Sequence, residues 1–264
     1  MKMTTKSHPP FFSILTASFN RRATIQETLE SVKNQTFRNF EHIIVDGGSV
    51  DGTIDVLKEY QESYQLKCIS EPDTGISDAL NKGVHLAKGF YIFVLQADDS
   101  FFDRFSLEKA HRYIIRHSAD IFSFPVILKN AEGKEKIVKP IRLIWYNHLK
   151  FIFHHQGCIV KRTVFKRVGD FNKQFLISMD YDFFYRALKL NVPVCFGSFP
   201  IARMNSGGVS SMILERIAEE RSIQKLNENS VVWRMAQVLF GSIYFPYKRF
   251  RISRREYFPK GARQ

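Results

Sequence analysis

Aspartates recur in this 264-residue chain where short apolar runs stop. Asp98 and Asp99 follow Tyr91-Ile92-Phe93-Val94-Leu95, Asp46 follows Ile43-Ile44-Val45, and Asp73 closes Ser70-Glu71-Pro72-Asp73. A carboxylate in such a place is a hard oxygen ligand, suited to holding Mg²⁺ or Mn²⁺ against a diphosphate that helps complete the octahedron. Neighbouring residues at a strand end point apart, so only one of Asp98 and Asp99 touches a metal directly. The other reading of the pair is an Asp turn capping the next segment. Asp46 opens Gly47-Gly48-Ser49-Val50-Asp51-Gly52-Thr53. The glycines there let the backbone approach a ligand, and a carboxylate accepts from a base N–H or a ribose hydroxyl. The stretch lacks the GK[ST] ending of a phosphate-binding loop, and an ordinary turn with Asp51 as helix cap accounts for it equally well. Asp180 and Asp182 lie two apart, about 200° around a helix, so only one of them faces a given site. A carboxylate at that helix start also serves as a dipole-satisfying cap.

The elements that position these residues show in the hydrophobic rhythm. Four apolar runs, Phe11 to Ala17, Glu41 to Asp46, Lys67 to Glu71 and Tyr91 to Gln96, alternate with helical patterns. Ile25, Leu29 and Val32 recur at i, i+4 and i+7, and Ile76, Ala79, Leu80 and Ala87 mark one face of a second helix. Strands separated by helices predict a parallel sheet of βαβ units, with ligands beyond the carboxyl ends of the strands. Those ends read TASFN, VDGGS, SEPD and LQADD, so carboxylates converge at one edge. Further along, a helix is predicted over 106–117. The apolar run Ile121 to Leu128, the turn Asn130-Ala131-Glu132-Gly133 and a strand from Glu135 to Lys139 then predict an antiparallel addition to the sheet. Helices are predicted over 161–168, ended by Gly169, and over 180–190, with Phe183, Phe184, Ala187 and Leu188 on the buried side.

Composition sets the frame. With 44% hydrophobic and 25% charged residues the chain should bury a real core, as one catalytic domain with a C-terminal extension. No run approaches the roughly 18 apolar residues that span a bilayer. Met1 to Pro10 lacks the apolar stretch of a signal peptide, which predicts a cytoplasmic chain. Cys68, Cys158 and Cys195 show no paired spacing and are expected to be buried thiols. The net charge of +13 implies a partner with phosphates: nucleotide, nucleic acid or anionic lipid. Without zinc-finger spacing or an RNP-like aromatic signature, nucleic acid is not expected. From Pro246 to Gln264 seven Lys or Arg face the single Glu256, a tail that suits either a solvated surface or a membrane interface.

Together, SILTASFNR, HIIVDGGSVDGT, SEPDTGISDALNKGVHLAKG and FVLQADDSF resemble the N-terminal half of a glycosyltransferase family 2 enzyme. HHQGCIVKRTVFKRVGDFN, SMDYDFFYR and NSGGVSS extend the resemblance across roughly residues 10 to 211. It is closest to the branch that assembles bacterial O-antigen, capsule or colanic-acid-type polysaccharides. The resemblance implies an α/β fold of the GT-A type, a Rossmann-like, mixed and mainly parallel sheet flanked by helices. Residues 1–9 would be a tail, 10–100 the nucleotide-sugar half, 101–211 the acceptor half and 212–264 a helical basic extension. It further implies that Thr16, Ala17 and Asn20 line the nucleotide pocket and that Asp46 reads the base, usually uracil. Asp73, Gly75, Asp78 and Asn81 would floor the donor ribose and sugar, Asp98 would meet the ribose or sugar, and Asp99 would bind Mn²⁺ or Mg²⁺. Asp180 would be the catalytic base, His155 and Gln156 would contact acceptor or phosphate, and Asn205 to Ser210 would form a lid. Two departures stand out: Gln96-Ala97 where relatives often have Asn-Ser, and Met179 where they often have Glu.

The implied enzyme is an inverting, metal-dependent glycosyltransferase. It would move a hexose or N-acetylhexosamine from a UDP-sugar to a lipid-linked oligosaccharide, working in the cytoplasm with its basic tail on the inner membrane surface. A sugar nucleotidyltransferase is the competing class, but SFNRR after the first strand lacks the glycine-rich phosphate loop of those enzymes.

Overall fold

The computed structural model describes residues 9–130, 132–205 and 212–257. Its first hundred residues follow the predicted alternation. Strands β1 (Phe12–Ser18), β2 (Phe40–Asp46), β3 (Leu66–Ser70) and β4 (Tyr91–Val94) are separated by helices α1 (Ile25–Lys33), α2 (Thr53–Gln61) and α3 (Ile76–Leu86). β1 pairs in parallel with β2 and β4, and β2 with β3, which brings four carboxyl ends to one edge. Both faces of β1 are covered, so its residues are buried without alternation. Phe12 and Ile14 pack toward α4 (Ser106–Ile114), whereas Leu15 packs toward Ala79, Leu80 and Val84 of α3. Each aliphatic side chain buried in this way contributes about 1.5–3 kcal/mol.

The second half departs from expectation. The apolar run Ile121 to Leu128 is two strands, β6 (Ile121–Ser123) and β7 (Val126–Lys129), in different sheets. The break falls at Pro125, which has no N–H to donate to a ladder and fixes its own φ. The hairpin with β8 (Glu135–Val138) is antiparallel as predicted, but it extends a separate four-stranded sheet, β5-β11-β7-β8, whose other strands are β5 (Ser100–Phe101) and β11 (Ala202–Asn205). A strand the sequence reading missed, β9 (Cys158–Lys161), runs antiparallel between β4 and β6. With β10 (Val194–Phe196) beside β6, the large sheet has the order β10-β6-β9-β4-β1-β2-β3. Helices α5 (Arg162–Val168) and α6 (Met179–Lys189) cover it, with Phe183 and Phe184 fully buried.

The extension is bound to the body. From α7 (Ile213–Asn227), Glu219 accepts the N–H groups of Leu176, Ile177 and Ser178 at 2.9, 2.9 and 2.7 Å. Those donors precede α6, so a carboxylate over forty residues away fixes the approach to Asp180. α8 (Val231–Tyr257) follows, its Trp233 stacked on His148 at 4.4 Å.

Candidate active site

The strand ends open onto a cleft of about 300 Å³ whose lining includes Ala17, Phe19, Arg21, Asp73, Asp98 and Asp99. Beside it lies a second cavity of about 520 Å³, with Lys139, Lys150, Asp180, Arg216 and Glu220 in its lining. His155, Gln156, Ile177, Met204 and Asn205 line both and form the wall between them.

At the end of β4 the chain turns through Asp98 and Asp99. The Thr28 hydroxyl of α1 donates to the Asp99 carbonyl at 2.7 Å, and the Asn205 side-chain amide donates to the Asp98 carbonyl. The Asn205 N–H donates to Asp99 Oδ1 at 3.2 Å, while Oδ2 is buried and accepts no hydrogen bond among the described residues. Burial first, and the charge of Asp98 second, push the Asp99 carboxyl up to about 7, offset in part by His155, Gln156 and Asn205. An orphaned carboxylate oxygen beside a second carboxylate fits a hard divalent cation. Among the described residues no three His, Cys, Asp or Glu side chains converge on a metal position. A cation at this place fits Asp99 as its carboxylate ligand, with substrate phosphates able to supply further oxygens.

On the other side of the wall, Asp180 stands in the first turn of α6. Its Oδ1 accepts the Tyr181 N–H at 2.8 Å and its Oδ2 lies 2.9 Å from His155 Nδ1. His155 begins a short 3₁₀ turn, His155–Gly157, and its Nε2 is 3.5 Å from the Gln96 amide. Asp182 points the opposite way. It is 1% exposed and takes hydrogen bonds from Arg186 at 2.8 Å and Asn227 at 2.9 Å, which makes it part of the core.

The remaining residues implied by the resemblance divide into two groups. Ala17, Asp73 and Gly75 line the cleft with Asp98 and Asp99. Asp73 approaches the backbone so closely that a Cβ on Gly47 would sit 2.6 Å from its Oδ2. Thr16, Asn20, Asp46, Asp78 and Asn81 are not among its lining residues, and each makes side-chain hydrogen bonds within the protein. Thr16 donates to the Leu95 carbonyl at 2.7 Å and meets His42 Nε2 at 2.9 Å, a histidine that burial holds down near 3. Asn20, at φ 51, accepts the Val50 N–H. Asp46 accepts from the N–H groups of Gly48 and Ser49 and the hydroxyls of Ser49 and Ser70. Asp78 accepts the Thr74 N–H and pairs with Lys173 and Lys82. Asn81 makes both of its amide hydrogen bonds to the Phe171 backbone at 2.9 Å. Through these bonds the five hold the loops beneath the cleft.

Phe19, Arg21 and Met204 are among the cleft residues that the sequence alone did not single out. Phe19 is 58% exposed in the lining, where the lone aromatic in TASFN was a usable signal. Arg21 and Met204 carried none. The lid expectation over Asn205 to Ser210 falls, beyond Asn205, outside the described residues.

The family described as Glycosyl transferase family 2 matches residues 13–203. A PGL/p-HBAD biosynthesis glycosyltransferase of Mycobacterium bovis is 29% identical over 213 residues, 78% of this chain and 82% of the relative. Among solved structures, S. aureus TarS 1-349 in complex with UDP-GlcNAc is similar at TM-score 0.67 and 20% identity, over 83% of this chain and 67% of that one. This chain spans 40% of a longer S. aureus TarS structure, at TM-score 0.65. The mannosyltransferase PcManGT from Pyrobaculum calidifontis, in complex with GDP-Man and Mn²⁺, is similar at TM-score 0.66 and 18% identity over 89% of this chain and 69% of that one. These structural likenesses give the fold, a mixed, mostly parallel sheet flanked by helices as in GT-A glycosyltransferases. Because the family match runs from β1 into β11 and takes in both Asp99 and Asp180, the chain belongs to glycosyltransferase family 2.

Proposed function

We propose that this glycosyltransferase transfers a hexose or N-acetylhexosamine, with inversion, from a UDP-sugar in the first cleft to an acceptor hydroxyl in the second cavity. The observation that carries the reading is Asp99, buried beside Asp98 with an oxygen unpaired, across one shared wall from Asp180. Mn²⁺ or Mg²⁺ held by Asp99, with Asp98 toward the ribose or sugar, would supply positive charge against the donor diphosphate. Asp180 takes the proton of the acceptor hydroxyl as its oxygen bonds to the anomeric carbon, and the bond from that carbon to the diphosphate oxygen breaks on the opposite face. One displacement inverts the centre. His155, within hydrogen-bond reach of Asp180, orients that carboxylate toward the shared wall. The nucleotide sugars in the TarS and PcManGT complexes support the donor class, and PcManGT supports the metal.

The acceptor on this reading is a lipid-linked oligosaccharide, extended for a surface polysaccharide of the O-antigen, capsule or colanic-acid kind. The enzyme would then work in the cytoplasm at the inner membrane face, with the basic tail from Pro246 to Gln264 toward the lipid; residues 258–264 lie outside the described residues. Calorimetric binding of UDP, GDP and dTDP with and without Mn²⁺, on wild type and Asp99→Ala, tests the donor site. UDP binding that needs Mn²⁺ and is lost in the variant is expected. Failure of every nucleotide to bind under all conditions would overturn the reading.

A further inference from the structure

A row of exposed apolar side chains lies on α8. One side of this helix packs on the body through Trp233 against His148, Phe240 against Tyr146, and Tyr244 beneath Lys150. The opposite side carries Val231, Val232, Met235, Val238, Leu239 and Ile243, each 63–76% exposed, and continues to Tyr247. At about 100° per residue these positions span about 180° of the helix. A contiguous exposed apolar patch of this kind marks an interaction surface. Trp145 stacks on Trp233 with centroids 6.3 Å apart. With the exposed Leu143 and Ile144 it carries the bare surface toward Ile141, which lines the cavity that holds Asp180.

Charge selects the occupant. From Asn229 to Arg255 the sequence has no carboxylate, while Arg234, Lys248, Arg249, Arg251, Arg254 and Arg255 are cationic. A second copy of this helix would bring these cations no carboxylate from the same stretch. An anionic lipid surface satisfies both the apolar stripe and the charges. No described helix is long and apolar enough to cross a membrane, so the helix would lie in the plane of the surface.

We propose that the outer face of α8, continued by residues 141–145, docks in-plane on an anionic lipid surface and so presents the Asp180 cavity to acceptors held there. The presentation rests on the acceptor reading above; the docking does not. Full-length protein is sedimented with phosphatidylcholine vesicles, with and without phosphatidylglycerol, and UDP binding with Mn²⁺ is measured on the same samples. Wild type sediments with the anionic vesicles only. Combined Met235→Glu, Leu239→Glu and Ile243→Glu weakens that binding by about tenfold or more, while Ile115→Glu, at an exposed apolar position beyond α4, leaves it unchanged. A triple variant that binds as wild type overturns the docking, as does a wild-type dimer in light scattering that the triple variant dissociates, which assigns the face to a second copy. Vesicle binding lost with UDP binding intact is a failure of docking alone; UDP binding lost throughout is a failure of the donor reading alone.

Discussion

β2 and β4 flank β1 on either side and each leads into an aspartate, yet the two ends behave in opposite ways. Asp46 is fully buried with four donors on its carboxylate, while Asp99, equally sheltered, keeps one oxygen without any. The contrast repeats across α6, where Asp182 is held by Arg186 and Asn227, whereas Asp180 has a cavity in front of it and His155 beside it. A carboxylate whose lone pairs are filled by the protein fixes a loop; one left short of donors is a place where a ligand completes the set.

The two aspartates of α6 should differ most. Replacing a general base typically costs 10²–10⁴ in rate, so Asp180→Asn should lower kcat by about 10³-fold. Thermal unfolding and nucleotide binding should stay close to wild type. Asp182→Asn should do the reverse, lowering the unfolding temperature because Arg186 loses its carboxylate, while the folded fraction still turns over. Turnover and melting measured side by side on both variants decide it, and an exchange of phenotypes would swap the two roles.

Asp46 gives the next largest effect. Asp46→Ala strands two backbone N–H groups and two hydroxyls in a buried loop, for a loss of about 3 kcal/mol read from the denaturant midpoint. Unchanged stability would mean that these bonds are dispensable and would free Asp46 for a ligand.

The strand ends were legible because a parallel sheet puts ligands at its carboxyl edge and apolar runs mark where strands stop. What divided Asp46 from Asp99 was not legible. The donors on Asp46 include Ser70, from the end of the next strand, and Asn205 reaches Asp99 from over a hundred residues away. Periodicity reports which face of an element is apolar and is silent about which loop arrives opposite. The same limit hid β9, four residues inserted between β4 and β6, and the Glu219 clamp on the approach to α6. Pro125, by contrast, was in plain view inside the run Ile121 to Leu128, and its missing N–H was reason enough to divide that run in two. The tail drew notice for its charge, while the bare stripe of α8 became visible only once the packed side of the helix was known.

The smallest effect is the one most particular to Asp99. Its carboxyl is raised from 3.8 to about 7 by burial and by Asp98. A raised acid contributes stability that is complete below the unfolded value and is lost as pH rises through the folded one. Metal-free protein therefore weakens between about pH 4 and pH 7 on this account, and above that range it carries a buried charge with one carboxylate oxygen short of a donor. Asp99→Asn removes the charge but leaves an amide short of partners, so the net gain at pH 8 should be only about 1 kcal/mol. At acidic pH, where Asp99 is protonated, the two proteins should unfold together. Added Mn²⁺ should reverse the order at pH 8 by stabilising wild type and not the variant, since only the ionised carboxylate offers the cation an anionic oxygen. Denaturant titrations at both pH values, with and without Mn²⁺, measure this directly. A variant no more stable than wild type at pH 8 without metal would place Asp99 with Asp46, among the carboxylates the protein satisfies by itself.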